Sequence, residues 1–276
     1  MAQAQTDWAA LWSELSLRMR RQAAGDGGPP DLPWERASRP GAGAGSSRRE
    51  EPDLLMLSFA EKLRSTDAVV DIGAGKGRWA LYMARLVRRV TAIDASPAML
   101  DILRANIAVA GAANIAVLPG DWESIEVEPH DVALCSHALY ASPDFAGYVR
   151  KMERAARRLC VLVLRVPSYD GVLGQLSRRI HGGWHDSPNF VIAHNLLREM
   201  GIHPDVLMEP TVRPWTDATF DEAVARAKRH LRLGGSTAHD EAIREALRSG
   251  LELRDGRYLW PDGMRSALVW WETGGG

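Results

Sequence analysis

Residues 69–77 read Val69-Val70-Asp71-Ile72-Gly73-Ala74-Gly75-Lys76-Gly77, an acid near the end of a short apolar run and then three glycines in alternate positions. Glycines so spaced let a ligand approach the backbone closely and bring the N-terminus of a following helix beneath it. The NAD fingerprint G-x-G-x-x-G would place Gly or Ala three residues after Gly75, where Arg78 stands. Asp71 also sets negative charge against a pyrophosphate, whereas a carboxylate suits a ligand carrying an ammonium group. His181 and His185, with Asp186, have the i, i+4 spacing of a helical metal site, but Gly182-Gly183 between them argues against a helix. No metal is expected.

These residues need elements to position them. The chain has 276 residues, 46% hydrophobic and 25% charged, enough for one large domain or a domain with a cap. Its 34 Lys+Arg against 35 Asp+Glu give nothing that draws the whole surface to nucleic acid or an anionic membrane. Two cysteines, Cys135 and Cys160, supply neither a disulfide framework nor a four-thiol zinc site. The first residues show no basic and then apolar leader, and no apolar run approaches roughly 18–20 residues, so a cytoplasmic protein without a membrane span is expected.

Apolar runs at 68–72, 89–93, 115–118, 131–136 and 159–166 alternate with helical patterns at 79–87, 97–110 and 145–158. That alternation predicts a doubly wound α/β fold, a mostly parallel sheet with helices on both faces. Residues 7–22 carry Trp8, Leu11, Trp12, Leu15 and Met19 at helical spacing. Residues 25–47 are Gly- and Pro-rich and read as a flexible connection. Beyond Pro167 the pattern loosens to Asp186; helices are then predicted at 189–200, 220–231 (capped by Asp217 or Thr219) and 240–249, with strands at 205–208 and 268–271.

At this level of detail the chain resembles the class I S-adenosylmethionine-dependent methyltransferases. Their pattern after the first strand, two hydrophobics, an acid, x-G-x-G-x-G, is matched by residues 69–77. The resemblance implies a seven-stranded Rossmann-like sheet whose last strand is antiparallel, with S-adenosyl-L-methionine as cofactor and S-adenosyl-L-homocysteine as product. It implies a cofactor site of Asp71, Gly73, Ala74, Gly75 and Gly77, then Asp94, Ala95 and Met99, then Asp121 and Trp122, and Ser136. Asp94 would grip the two ribose hydroxyls, since a carboxylate accepts both in a bidentate fashion; a helix cap is the plainer alternative. Asp121 would lie near the adenine amino group, and Trp122 beside the adenine or in the core.

Methyl transfer asks a protein to align the acceptor, exclude water and, for a protonated acceptor, supply a base. His137, delivered by the fourth strand, is the expected base, and Tyr140 would orient the acceptor or face the sulfonium. Trp34, His181, Trp184, His185 and Asn189 are expected to line the acceptor pocket. Ser136-His137-Ala138-Leu139 stands where DNA amino-methyltransferases carry an acid/amide/Ser-Pro-Pro-aromatic run, Cys135 follows Leu134 rather than a proline, and two thiols are too few for arsenic chemistry. The expected acceptor is therefore the O or N, less readily the C, of a small metabolite, not DNA. An RNA or protein methyltransferase and a catalytically silent cofactor-binding scaffold are the alternatives, and a homodimer stays open.

In domain terms, residues 1–50 would form an N-terminal helix and lid, and 51–276 the methyltransferase domain with caps at about 167–200 and 211–262. Eight of the ten tryptophans fall outside residues 69–166, which predicts a Trp-rich cover and an apolar or aromatic acceptor.

Overall fold

The computed structural model describes residues 6–23, 51–167, 171–183, 187–210, 215–261 and 265–274. Trp34, Trp184 and His185 lie outside them.

Seven strands form the main sheet: β1 (Ala68–Ile72), β2 (Arg89–Asp94), β3 (Ile115–Pro119), β4 (His130–Ser136), β5 (Ala156–Val166), β6 (Asp205–Met208) and, last in the chain, β10 (Arg265–Glu272). Their order is β3-β2-β1-β4-β5-β10-β6. β1 to β5 pair in parallel, while β10 runs antiparallel between β5 and β6. Every residue of β1 is buried, because the strand is sandwiched between helical layers. Strand alternation divides the core: Val70 and Ile72 face one cluster, Val69 the other. On the Val69 side lie α2 (Leu54–Ala60), α3 (Arg78–Met83) and α4 (Pro97–Ala110); on the other lie α1 (Trp8–Ala23), α5 (Phe145–Ala155) and α7 (Phe190–Glu199).

Local chemistry sets the boundaries. α4 starts where the Ser96 hydroxyl accepts from Met99 N–H and Pro97 occupies the first turn, and stops at Gly111, whose φ is 64°. Two helices are shorter than their patterns predict. α3 ends at Met83, the chain turning through Leu86 and Val87 before β2. α5 ends at Ala155, because β5 begins pairing with β4 at Ala156; Arg157 and Arg158 are therefore strand residues, and Arg158 reaches Asp67 at 2.5 Å.

The segment expected to be loose after Pro167 contains α6 (Val172–His181). Gly171, Gly174 and Gly182 mask its stripe of Val172, Leu173, Leu176 and Ile180. That stripe packs with α8 (Phe220–His230), α9 (Asp240–Gly250) and Trp260 in a separate third core. A small antiparallel sheet, β7 (Thr216–Asp217), β9 (Arg257–Leu259) and β8 (Glu252–Arg254), edges this accessory unit. Thr219 caps α8 in a full capping box with Glu222, whereas Asp217 accepts from Arg226 and Trp260.

Of the tryptophans outside residues 69–166, Trp12, Trp260 and Trp271 are core residues. Trp12 and Trp260 are fully buried, and Trp271 is buried against α5, its indole N–H donating to Glu153 at 3.2 Å. Trp215 stacks edge-on against Trp260, and Trp270 lies under the Lys62 ammonium. α7, inside a stretch expected to cap the acceptor, belongs to the main core through Ile192, Ala193, Leu196 and Leu197. Among the described residues, no helix is long and apolar enough to cross a membrane.

Candidate active site

With strand order β3-β2-β1-β4, neighbouring connections leave the sheet in opposite directions between β1 and β4, which opens a crevice at the carboxyl ends of these strands. The glycine loop follows β1 there. Gly73 and Ala74 both donate their N–H to the Ile93 carbonyl at 2.9 Å, anchoring the loop on β2, and Gly77 N–H closes onto the Ala74 carbonyl at 2.9 Å. Gly73, Gly75 and Gly77 all have positive φ, at 71°, 55° and 88°. Their surroundings differ. A Cβ on Gly73 would meet the Ala138 Cβ at 2.1 Å, and one on Gly77 the Leu103 Cδ1 at 2.2 Å, whereas one on Gly75 would meet nothing within 4 Å. Gly73 and Gly77 are thus demanded by packing, and Gly75 faces open space.

Asp71 is 1% exposed. The backbone N–H of Ala80, in the first turn of α3, favours the charged form of the Asp71 carboxyl group. Its Oδ2 is buried without a hydrogen-bond partner among the described residues. Burial first, and the nearby Asp94 carboxylate second, push the Asp71 carboxyl up to about 7. A buried carboxylate oxygen without a donor is costly, and a cationic donor from a ligand would both satisfy it and favour its charge.

Asp94, half-buried at the end of β2, accepts Gly75 N–H on Oδ2 and Ser96 N–H on Oδ1, each at 2.8 Å. Each oxygen keeps a further lone pair, which matches the need of two vicinal hydroxyls. Ala95 is exposed at the strand tip, and Met99 is buried in the first turn of α4. The turn after β3 is tied in by Gly120 N–H to the Asp94 carbonyl at 3.1 Å. Asp121 is exposed there and accepts Glu123 N–H at 3.0 Å. Trp122 is 4% exposed in the main core, tilted against Tyr148 with ring centroids 6.2 Å apart, and its Nε1 has no partner among the described residues.

Across the crevice, β4 ends at Ser136, half-buried, and His137 N–H donates to the Val163 carbonyl at 3.0 Å. His137 takes φ 56°, a left-handed conformation uncommon outside glycine. The turn it makes leads into Ala138, which abuts Gly73, and then into a 3-10 helix, Leu139–Ala141. The imidazole is held at both nitrogens. Arg165 N–H donates to Tyr140 Oη at 2.6 Å, so the phenolic hydrogen is free to go to His137 Nδ1, 2.9 Å away. The hydrogen on His137 Nε2 then faces Ser266 Oγ at 3.3 Å, an assignment that follows from the network. Burial, with Arg165 and Arg78 nearby, pulls His137 down to about 4, so the ring is neutral near pH 7. Burial likewise raises the Tyr140 hydroxyl well above the usual tyrosine range. Neither His137 nitrogen is left with a lone pair for an acceptor's proton.

Two residues expected in the acceptor pocket have partners within the fold. Asn189, fully buried, caps α7 by accepting from Val191 at 3.0 Å and Ile192 at 3.4 Å, while its amide donates to the Ser187 carbonyl at 2.9 Å. His181 ties α6 to the end of α8 through Nε2 and the Leu231 carbonyl at 2.8 Å. Cys135 is buried 3.3 Å from Tyr148 Oη, and burial pushes its thiol up to about 11. Sequence reasoning missed Ala138 and Ser266. Ser266 lies 129 residues from its partner His137, and no local pattern announces the pairing.

A sheet ordered 3-2-1-4-5-7-6, counting its strands along the chain, with an acid-then-glycine loop at its switch point is the arrangement of the Rossmann-like methyltransferase fold. Residues 69–158, about a third of the chain, match the methyltransferase domain family. The chain is 26% identical over 111 residues to an uncharacterized methyltransferase, YcgJ, of Bacillus subtilis, covering 40% of this chain and 44% of that one. It is 44% identical over 55 residues to a protein-L-isoaspartate O-methyltransferase of Methanoregula boonei, covering 20% of this chain and 25% of that one. The chain thus matches less than half the length of either relative. In fold it is similar to the crystal structure of Bacillus subtilis YcgJ, with a TM-score of 0.53 and 17% identity over 80% of this chain and 99% of that one. It is also similar to E. coli YjhP, with a TM-score of 0.52 and 11% identity over 86% and 97%.

Proposed function

We propose that this protein transfers a methyl group from S-adenosyl-L-methionine to an oxygen or nitrogen of a small molecule, less readily to a carbon. The observation that carries the reading is the buried Oδ2 of Asp71, partnerless among the described residues, beneath a glycine loop that opens to space at Gly75. When bound, the cofactor would supply a methyl group activated by its sulfonium: the acceptor bonds to that carbon in line as the carbon–sulfur bond breaks and S-adenosyl-L-homocysteine leaves.

The chain's own residues do the holding. Asp71 receives the cofactor's ammonium, Gly73, Ala74, Gly75 and Gly77 admit its backbone-facing edge, and Asp94 accepts the ribose hydroxyls beside its two N–H bonds. Ala95, Met99, Asp121 and Trp122 border the adenine end, and Ser136 the sulfur end. His137 acts as a positioning residue: its left-handed turn, pinned by Tyr140 and Ser266, presses Ala138 against Gly73. Proton removal, where an acceptor needs it, then falls to water or to the acceptor's own ionisation, because engaging His137 would break a bond inside a buried network.

Isothermal titration tests the reading. S-adenosylhomocysteine is expected to bind and NAD is not; binding of NAD alone, or of neither, refutes it. The acceptor is read as small because the turn after β4 has no base-holding Pro-Pro-aromatic run. Transfer of a labelled methyl group to bulk RNA or protein, with none to small-molecule extracts, would overturn that part.

A further inference from the structure

The Glu123 side chain lies between α1, the turn after β3 and the turn after β4. The Glu123 backbone N–H donates to Asp121 Oδ1, and the Asp121 carbonyl accepts from Ser124 and Ile125 at 3.1 and 2.8 Å, which makes a tight turn after β3. The Glu123 carboxylate leaves that turn and accepts from two directions: Ser142 Oγ on Oε1, and Arg20 of α1 on Oε2 at 3.0 Å. Ser142 and its neighbour then receive α1. The Trp12 indole N–H donates to the Ser142 carbonyl at 2.8 Å, and Arg20 Nε donates to the Ala141 carbonyl. Trp12 is fully buried, edge-on to Phe145 with centroids 4.7 Å apart. Three segments remote in sequence, at 12–20, 121–123 and 139–142, therefore meet at one carboxylate. The middle one borders the proposed adenine end. The last closes the 3-10 helix that carries Tyr140.

An ion pair as exposed as Arg20 to Glu123, 45% and 38% exposed, adds little stability by itself. Its geometry does something else. Through Ser142 it fixes the carbonyl to which Trp12 is bonded, so the Asp121 turn and the α1 anchor share one hinge. A 16-residue helix is marginal alone in water, so α1 depends on these bonds and on its buried face for its docked position.

We propose that Glu123 is a positioning residue that couples docking of α1 to occupancy of the cofactor site, a role that rests on the methyltransferase reading above. A ligand that steadies the Asp121 turn steadies α1, and by reciprocity docked α1 tightens cofactor binding.

Hydrogen exchange on the full chain, with and without saturating S-adenosylhomocysteine, tests this. In the parent protein the ligand is expected to slow exchange at 8–20 and 139–142 by about 10-fold, within the usual range of coupling between sites. In Glu123→Gln, and separately in Arg20→Met, the ligand still binds, but the slowing at 8–20 falls below about twofold while that at 71–77 persists, which mere loss of stability would not produce. Arg20→Met decides the matter where Glu123→Gln does not fold. Ligand binding with unchanged exchange at 8–20 in the parent, or undiminished slowing in a folded variant, overturns the coupling alone. Absence of any ligand binding overturns both the coupling and the cofactor reading.

Discussion

Ala138 occupies the space that a side chain at Gly73 would need: a Cβ built on Gly73 falls 2.1 Å from the Ala138 Cβ. The loop after β1 and the loop after β4 are thus packed to the limit, and the wall of the crevice depends on a missing methyl group.

Gly73→Ala is therefore expected to cost at least about 2 kcal/mol, from overlap and from a left-handed φ. The double change Gly73→Ala with Ala138→Gly should recover the overlap part, since the next nearest atom, the Ala138 Cα, lies at 3.6 Å. Gly75→Ala carries only the conformational cost of about 1–2 kcal/mol, yet it should weaken S-adenosylhomocysteine binding out of proportion to its effect on Tm. Thermal denaturation and titration on the four proteins check the contrast, and no rescue by Ala138→Gly would count against the contact.

Asp71 makes stability depend on pH in a defined direction. Its folded carboxyl titrates near about 7 rather than 3.8, so between those values the folded state keeps a proton that the unfolded chain has released. Stability then falls as pH rises through that window, by on the order of 3–5 kcal/mol in all. Asp71→Asn should flatten this slope and be relatively more stable at about pH 8 than at about pH 5, while losing S-adenosylhomocysteine binding. In the parent, the stabilisation by ligand should grow with pH, because the charged carboxylate binds the ammonium. A parallel pair of Tm profiles for parent and variant would refute the assignment.

Asp94→Ala removes the proposed ribose acceptor and the bonds to Gly75 and Ser96. Losing charged hydrogen bonds worth about 1.5–3 kcal/mol predicts a fall in S-adenosylhomocysteine affinity of about 10- to 100-fold. Titration calorimetry measures it, and unchanged affinity would take Asp94 out of the site.

The accessory unit should respond separately. Asp217 is buried; burial alone would raise its carboxyl, but hydrogen bonds from Arg226 and from Trp260 Nε1, the latter at 2.7 Å, hold it below the usual range. The stability it contributes is present at neutral pH and lost as pH falls through its lowered folded value. Trp260→Phe is expected to cost about 1–3 kcal/mol by removing one donor from a buried acid. Faster hydrogen exchange confined to α8, α9 and β9, with cofactor affinity unchanged, is the expected outcome; exchange rising equally in β1 and β4 would contradict a separate core.

The glycine loop and the sheet beneath it were legible because their requirements are local. Gly73, Gly75 and Gly77 need positive φ, Asp71 and Asp94 stand at strand ends, and apolar runs of strand length separated by helical stripes imply the layered sheet. α6 was not legible, since its stripe is interrupted by glycine and gains meaning only against Trp260 and Ile243 in a core built from residues far along the chain.

By itself, then, the sequence determined the sheet, the glycine loop and the two acids, each written within a few consecutive residues whose backbone and burial demands are self-contained. Only the tertiary structure decided which partners His137, Asn189, His181 and Trp12 take. Their types permit many, and Ser266, Leu231 and Ser142 are brought within hydrogen-bond distance by packing across the fold. A buried polar atom must be satisfied by whatever stands beside it, and neighbours in space are not written in neighbours along the chain.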